Sequence, residues 1–172
     1  MKRERLIATL SFIVVAVVAR FLPHPTNMTP VLAMSLLAGA LLPIRWALSA
    51  SVIAMLTGDV LLGWSVSNLG GYPALAAAVW LGSWSWKRKS VDLMIASVLG
   101  SATIFYVLSN LMVWLTSGMY AISLSGLIAC YVAGIPFYGR DIAGTLAYTI
   151  FLFGTLVVLS LRYRQLVLIK GE

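Results

Sequence analysis

The side chains best suited to recognising a polar molecule are Arg20, His24, Asn27, Thr29, Asp59, Asn110, Trp114 and Arg140. Four of them crowd into "ARFLPHPTNMTPVLAMS", residues 19–35, where three prolines surround the single histidine of the chain. Each proline fixes its own φ and biases the residue before it towards extended backbone, so His24 and Asn27 sit on a stiff loop. That loop either presents them to a ligand or forms a hairpin capping the next helix, with Thr29 as N-cap and Pro30 as its first residue. The set suits recognition better than bond-making. There is no Gly-rich phosphate loop, no Ser/His/Asp grouping and no metal-ligand spacing, and the internal aspartates are only Asp59, Asp92 and Asp141. No enzyme activity, metal or cofactor is expected.

What must position these residues follows from composition. The chain is 61% hydrophobic and 10% charged, too few charges to cover a soluble domain of 172 residues. Hydrocarbon is the expected solvent for most of its surface, and the length suits one transmembrane domain, 1–172, of six short spans. The net charge of +7 does not point to nucleic acid, because the basic residues flank apolar segments as membrane topology signals do. Cys130 is the only cysteine, which excludes an internal disulfide and a cysteine-based zinc site.

Apolar runs and breakers predict an all-α membrane protein with spans at about 6–21, 30–42, 46–64, 73–86, 91–115 and 142–161. The first has the look of a signal peptide, but further apolar helix follows it, so a retained span is expected. Between the last two spans, the apolar stretch 124–136 is shorter than the ~17 residues a crossing needs. With six crossings and the N-terminus inside, Lys2, Arg3, Arg5, Arg45, Lys87, Arg88, Lys89, Arg162, Arg164 and Lys170 are cytoplasmic. Only Arg20 and Arg140 are then outside. A seventh crossing spoils that bias, so the expected topology is N-in/C-in, with 118–139 lying on or dipping into the outer face.

This topology gathers the unusual polar groups at the outer face. Asp59 is costly within a span, about 2.5–3.5 kcal/mol on insertion scales, and calls for a partner or an aqueous cavity. It is either a ligand contact or one half of an ion pair with Arg20 or Arg140. Asn110 and Trp114, four apart, share a helical face and offer a ligand an amide and an aromatic platform; equally, the amide joins helices and the Trp anchors at the interface. Ser35, Gly39, Ser97, Ser101, Gly144 and Gly154 read as helix-packing positions, and Cys130 as a packed thiol.

"RFLPHPTNMTPVLAMSLLAGALL", "ASVIAMLTGDVLLGW" and "GLIACYVAGIPFYGRDIAGTLAYTIFLFG" together resemble an uncharacterised bacterial membrane family. Its pattern reads R-x-L-P-H-P-P-N-F-T-P-V, then S-D-L-x-L-G, then C-Y-x-A-x-P-F. This sequence departs from it at Thr26, Met28 and Gly58, where the pattern has Pro, Phe and Ser. That family in turn is similar to the S components of energy-coupling-factor (ECF) vitamin transporters. The resemblance implies a six-helix inner-membrane protein binding a small molecule under its outer loops, energised by a T component and two ATPases. The first helix lacks the A-x-x-x-A that S components use for docking: Ala8 is followed by Phe12, and Ala16 by Arg20.

The leading expectation is therefore an S-component-like membrane protein that binds and takes up a small molecule such as a vitamin. A non-catalytic accessory subunit of a membrane complex is the alternative, and an ion pathway through Asp59 a weaker third. A binding protein should contain a ligand-sized cavity beneath the loops. An accessory subunit should instead present an exposed apolar or aromatic patch.

Overall fold

The computed structural model describes residues 2–21 and 28–169. Over these the chain forms α1 (Lys2–Phe21), α2 (Val31–Leu41), α3 (Ile44–Leu62), a 3-10 turn (Val66–Gly70), α4 (Gly71–Arg88), α5 (Val91–Thr116) and α6 (Leu124–Ile169). No strand occurs among the described residues. The breaks fall where backbone chemistry demands them. Pro43 caps the start of α3, and α4 stops at Lys89, which turns left-handed at φ 51° just after Lys87 and Arg88. Those cations complement the negative end of the α4 dipole. Ser90 then opens α5 by accepting a hydrogen bond from the Leu93 amide at 3.3 Å, with Asp92 in the first turn.

Successive helices fold back on each other. Ser85 near the end of α4 meets Met94 near the start of α5, and Ser97 donates to the Leu81 carbonyl. In the same sense Thr103 and Asn110 of α5 face Tyr138 and Cys130 of α6. The interior is built from small residues: half of the buried apolar side chains are alanine, from Ala16 to Ala102. Buried Ser35, Ser85 and Ser97 return their hydroxyls to the carbonyl four residues back, so they cost no unmet polar group. The large apolar side chains point outwards instead, with Val60 65%, Trp80 60% and Ile150 71% exposed. Small residues inside and bulky ones outside is how helices pack when lipid, not water, bathes the outer surface.

α3, α5 and the Leu124–Val158 part of α6 are each long and apolar enough to cross a membrane. α2, with eleven residues, rises only about 16 Å and falls short of the ~30 Å hydrocarbon layer.

Three expectations need correction. The segment 118–139 is not a separate outer element: from Leu124 it belongs to α6, which runs unbroken through Pro136 to Ile169. A proline inside a helix forfeits one backbone bond and costs ~3 kcal/mol. Here the turns before it are bound along α5. Tyr106 donates to the Tyr131 carbonyl at 2.6 Å, and Tyr131 donates to the Val107 carbonyl at 2.8 Å. The apolar run 124–136 is thus the N-terminal part of a long helix, and the span placed at 142–161 is its continuation. Secondly, Thr29 does not cap α2. Pro30 occupies the N-cap with no side-chain cap bond, and its carbonyl accepts directly from the Met34 amide at 2.8 Å. Thirdly, Gly154 is no helix contact among the described residues, since a Cβ placed there would meet none of their atoms within 4 Å.

Candidate binding cavity

A cavity of about 430 Å³ lies at the end of the bundle where α1 and α3 finish and α4 begins. Its walls come from every helix except α2. Arg20 enters from α1, Met55 and Asp59 from α3, and Gly71 from α4. Phe105, Tyr106, Ser109, Asn110 and Val113 form the α5 side. Cys130, Ala133, Gly134, Phe137, Tyr138 and Asp141 form the α6 side, with Ser67, Asn68, Met119 and Tyr120 contributed by the connections. The proline in α6 sits among these last residues, one position before Phe137.

The charges at this end are unequally satisfied. Arg20 donates through Nη2 to Asp59 Oδ1 at 3.0 Å, and through Nη1 to the Met55 carbonyl at 2.9 Å and its sulfur at 3.3 Å. Tyr72 donates to the other Asp59 oxygen at 3.0 Å. Asp59 is 2% exposed and the Arg20 side chain 13%, so this is a nearly buried ion pair with both carboxylate oxygens occupied. Gly58 makes room for it, because a Cβ at that position would run into the Arg20 guanidinium.

Asp141 is different. It is 6% exposed, lines the same cavity, and its Oδ2 has no hydrogen-bond partner among the described residues. One and two turns further along α6, Thr145 and Thr149 are also buried, and their hydroxyls have no partner among the described residues. Asp141, Thr145 and Thr149 share one face by their spacing of four. A polar stripe therefore leads away from the cavity floor.

The aromatic walls are held still. Tyr106 stacks on Tyr138 with ring centroids 4.7 Å apart and meets Tyr131 edge-on at 5.6 Å. The Tyr106 hydroxyl is committed to the Tyr131 carbonyl, and the Tyr138 hydroxyl is 2.7 Å from that of Thr103. With their hydroxyls engaged and their rings stacked, both tyrosines line the cavity as a fixed aromatic surface.

The described helices thus make a membrane-type bundle with a cavity at one end. The chain belongs to the DUF6580 family. That family, of unknown function, matches residues 1–166. No curated protein and no solved structure matches the chain.

Of the residues singled out in this DUF6580 chain from sequence, Arg20, Asp59 and Asn110 converge on the cavity. Asn110 lines it while donating to the Tyr106 carbonyl at 2.8 Å, and the Cys130 thiol lies 3.4 Å from the Asn110 carbonyl. Trp114 is not in the wall. Its indole donates to the Ala121 carbonyl at 2.9 Å and ties the end of α5 to the following loop. Thr29 and Arg140 are outside the wall as well; Arg140 lies 6.0 Å from the Phe137 ring, and Thr29 adjoins Met28, which packs on Gly144. His24 and Asn27 fall outside the described residues.

Sequence reasoning places Asp141, beside Arg140, among the outer polar groups but not among the binding residues, and it singles out neither Tyr72 nor the aromatic walls. Asp141 carried the same signal as Asp59, a carboxylate in an apolar run, but it was placed at the joint between two segments that are in fact one helix. The aromatics gave no signal, since lipid-facing and cavity-facing rings look alike in a sequence.

Proposed function

We propose that this chain is a membrane substrate-binding protein of the uptake type, similar to ECF S components, which holds a small molecule in the cavity between α3, α5 and α6. The cavity itself carries this reading. Its volume falls within the ~300–1,000 Å³ range of small-molecule sites, and its lining mixes aromatic walls with a few buried polar groups. In this reading the six helices form one multi-pass bundle in the bacterial inner membrane, with α2 reaching through only part of the hydrocarbon layer, both termini cytoplasmic and the cavity open to the outside. The function is binding and not catalysis. An energising partner, a T component with ATPases or another machine, would have to dock without an A-x-x-x-A on α1. The accessory-subunit alternative draws on the exposed Trp80, stacked on Trp84 at 6.5 Å with Arg88 over Trp84 at 4.4 Å. That surface equally suits an interfacial anchor.

Native mass spectrometry of the protein extracted gently from its own membrane tests the binding reading. A small molecule is expected to accompany the wild type and to be absent from Ser109→Trp, which fills the cavity from the α5 wall. An empty wild type carrying only a stoichiometric protein partner favours the accessory reading instead.

The topology has its own test, in a Cys130→Ala background with single cysteines at the exposed positions Ser117 and Lys89. Ser117→Cys should react with a membrane-impermeant maleimide on intact cells, and Lys89→Cys only after permeabilisation. The reverse pattern, or labelling of both on intact cells, overturns the topology.

A further inference from the structure

We infer that the cavity selects an organic cation, with Asp141 as its counter-ion and the α5 and α6 rings as its walls. This rests on the binding reading above and names the class of ligand.

The argument is one of charge and of what is already paired. Arg20 is the only cationic side chain among the described residues of the cavity wall, and its guanidinium is engaged by Asp59 and by Met55. Asp59 is saturated in turn by Arg20 and Tyr72. These two charges cancel and close on each other, which leaves neither available to a ligand. Asp141 is the remaining ionisable carboxyl in the wall, more than nine-tenths buried, with no cation paired to it among the described residues. A buried carboxylate without a partner is costly in a low-dielectric interior, and a cationic ligand would remove that cost. An anion would add to it.

The walls support the same sign. Phe105, Tyr106, Phe137 and Tyr138 surround the space, and the two tyrosines are locked by their own hydroxyl bonds. Ring faces carry negative partial charge and attract cations, the more so when water is excluded. A small inorganic ion would leave most of a 430 Å³ space unfilled, and among the described residues no group of three metal-ligating side chains converges. An ammonium group on an apolar or aromatic body fills both requirements.

Equilibrium dialysis of the full chain in detergent tests this with three probes of similar size: benzyltrimethylammonium, benzamide and benzoate. The cation should be retained and displaced by unlabelled cation, with benzamide and benzoate binding far more weakly. Asp141→Asn should weaken the cation by about thirtyfold or more, the usual effect of deleting one partner of a buried charge pair, and Asp141→Glu should restore most of it. Ser109→Trp should abolish retention. If Asp141→Asn does not fold, as judged by thermal unfolding, the ranking of the three probes on the wild type decides.

Benzoate or benzamide bound as tightly as the cation, and lost in Ser109→Trp, overturns the cation assignment and leaves the binding reading standing. Cation affinity unchanged in a folded Asp141→Asn also overturns it. Retention of none of the three probes overturns the cation assignment; if the native-membrane extract also yields no small molecule, the binding reading falls with it.

Discussion

Replacing Asp59 with alanine is expected to lower the stability of the bundle by about 3–5 kcal/mol, the range for breaking a buried ion pair from one side. The loss comes from what is left behind more than from what is removed. Arg20 keeps its bonds to Met55 but has an uncompensated charge in a side chain only 13% exposed, and the Tyr72 hydroxyl loses its acceptor. Arg20→Ala strands the opposite charge and should cost a similar amount. Removing both, as Arg20→Ala with Asp59→Ala, should cost less than the sum of the two single changes, because no unpaired charge remains. Thermal unfolding of the four proteins in one detergent gives the cycle directly. Additive losses would mean that the two charges are not coupled, and that the 3.0 Å contact between them does not hold the α1–α3 junction together.

The same pair shows how far the sequence could be read. An arginine ending one apolar helix and a carboxylate near the end of another are both costly to leave unpaired, so an ion pair of Asp59 was legible from hydropathy, but not whether Arg20, Arg140 or a ligand would be its partner. The helices were legible too, to within a few residues, except where apolar length was taken for helix length. α1 begins among charged residues at Lys2, because lysine, arginine and glutamate are good helix formers even where they cannot enter lipid. α6 hid for a different reason. Pro136 and a short apolar run signal a break, and only the cross-links from Tyr106 and Tyr131 to α5 and α6 backbone explain why the helix continues. Once that break was assumed, Asp141 lost its place in a wall. Long-range contacts of this kind leave no local trace in one sequence, and the cavity depends on them.

A second large effect is expected where α2 crosses α4. Gly82→Ala should destabilise the protein by about 1–3 kcal/mol, as overpacking of a close contact does, and Gly82→Leu by more. The two helices touch backbone to backbone through a reciprocal pair: a Cβ on Gly39 would strike the Val79 carbonyl, and a Cβ on Gly82 would strike the Leu36 carbonyl. A flexible side chain could swing away, but a helix carbonyl cannot move without carrying its helix. Separation here would also loosen the small cluster of Ala38, Ala47 and Val79, against which Phe12, Leu42 and Leu48 pack. Gly154→Ala supplies the control. It makes the same chemical change in a helix interior where a Cβ meets no atom of the described residues, so it should be neutral or gain up to ~1 kcal/mol from helix propensity. Opposite signs at Gly82 and Gly154, read by thermal unfolding in one detergent, would locate the constraint in the contact between helices. Equal effects would assign it to the helix backbone itself, and α2 would then need another reason to sit where it does.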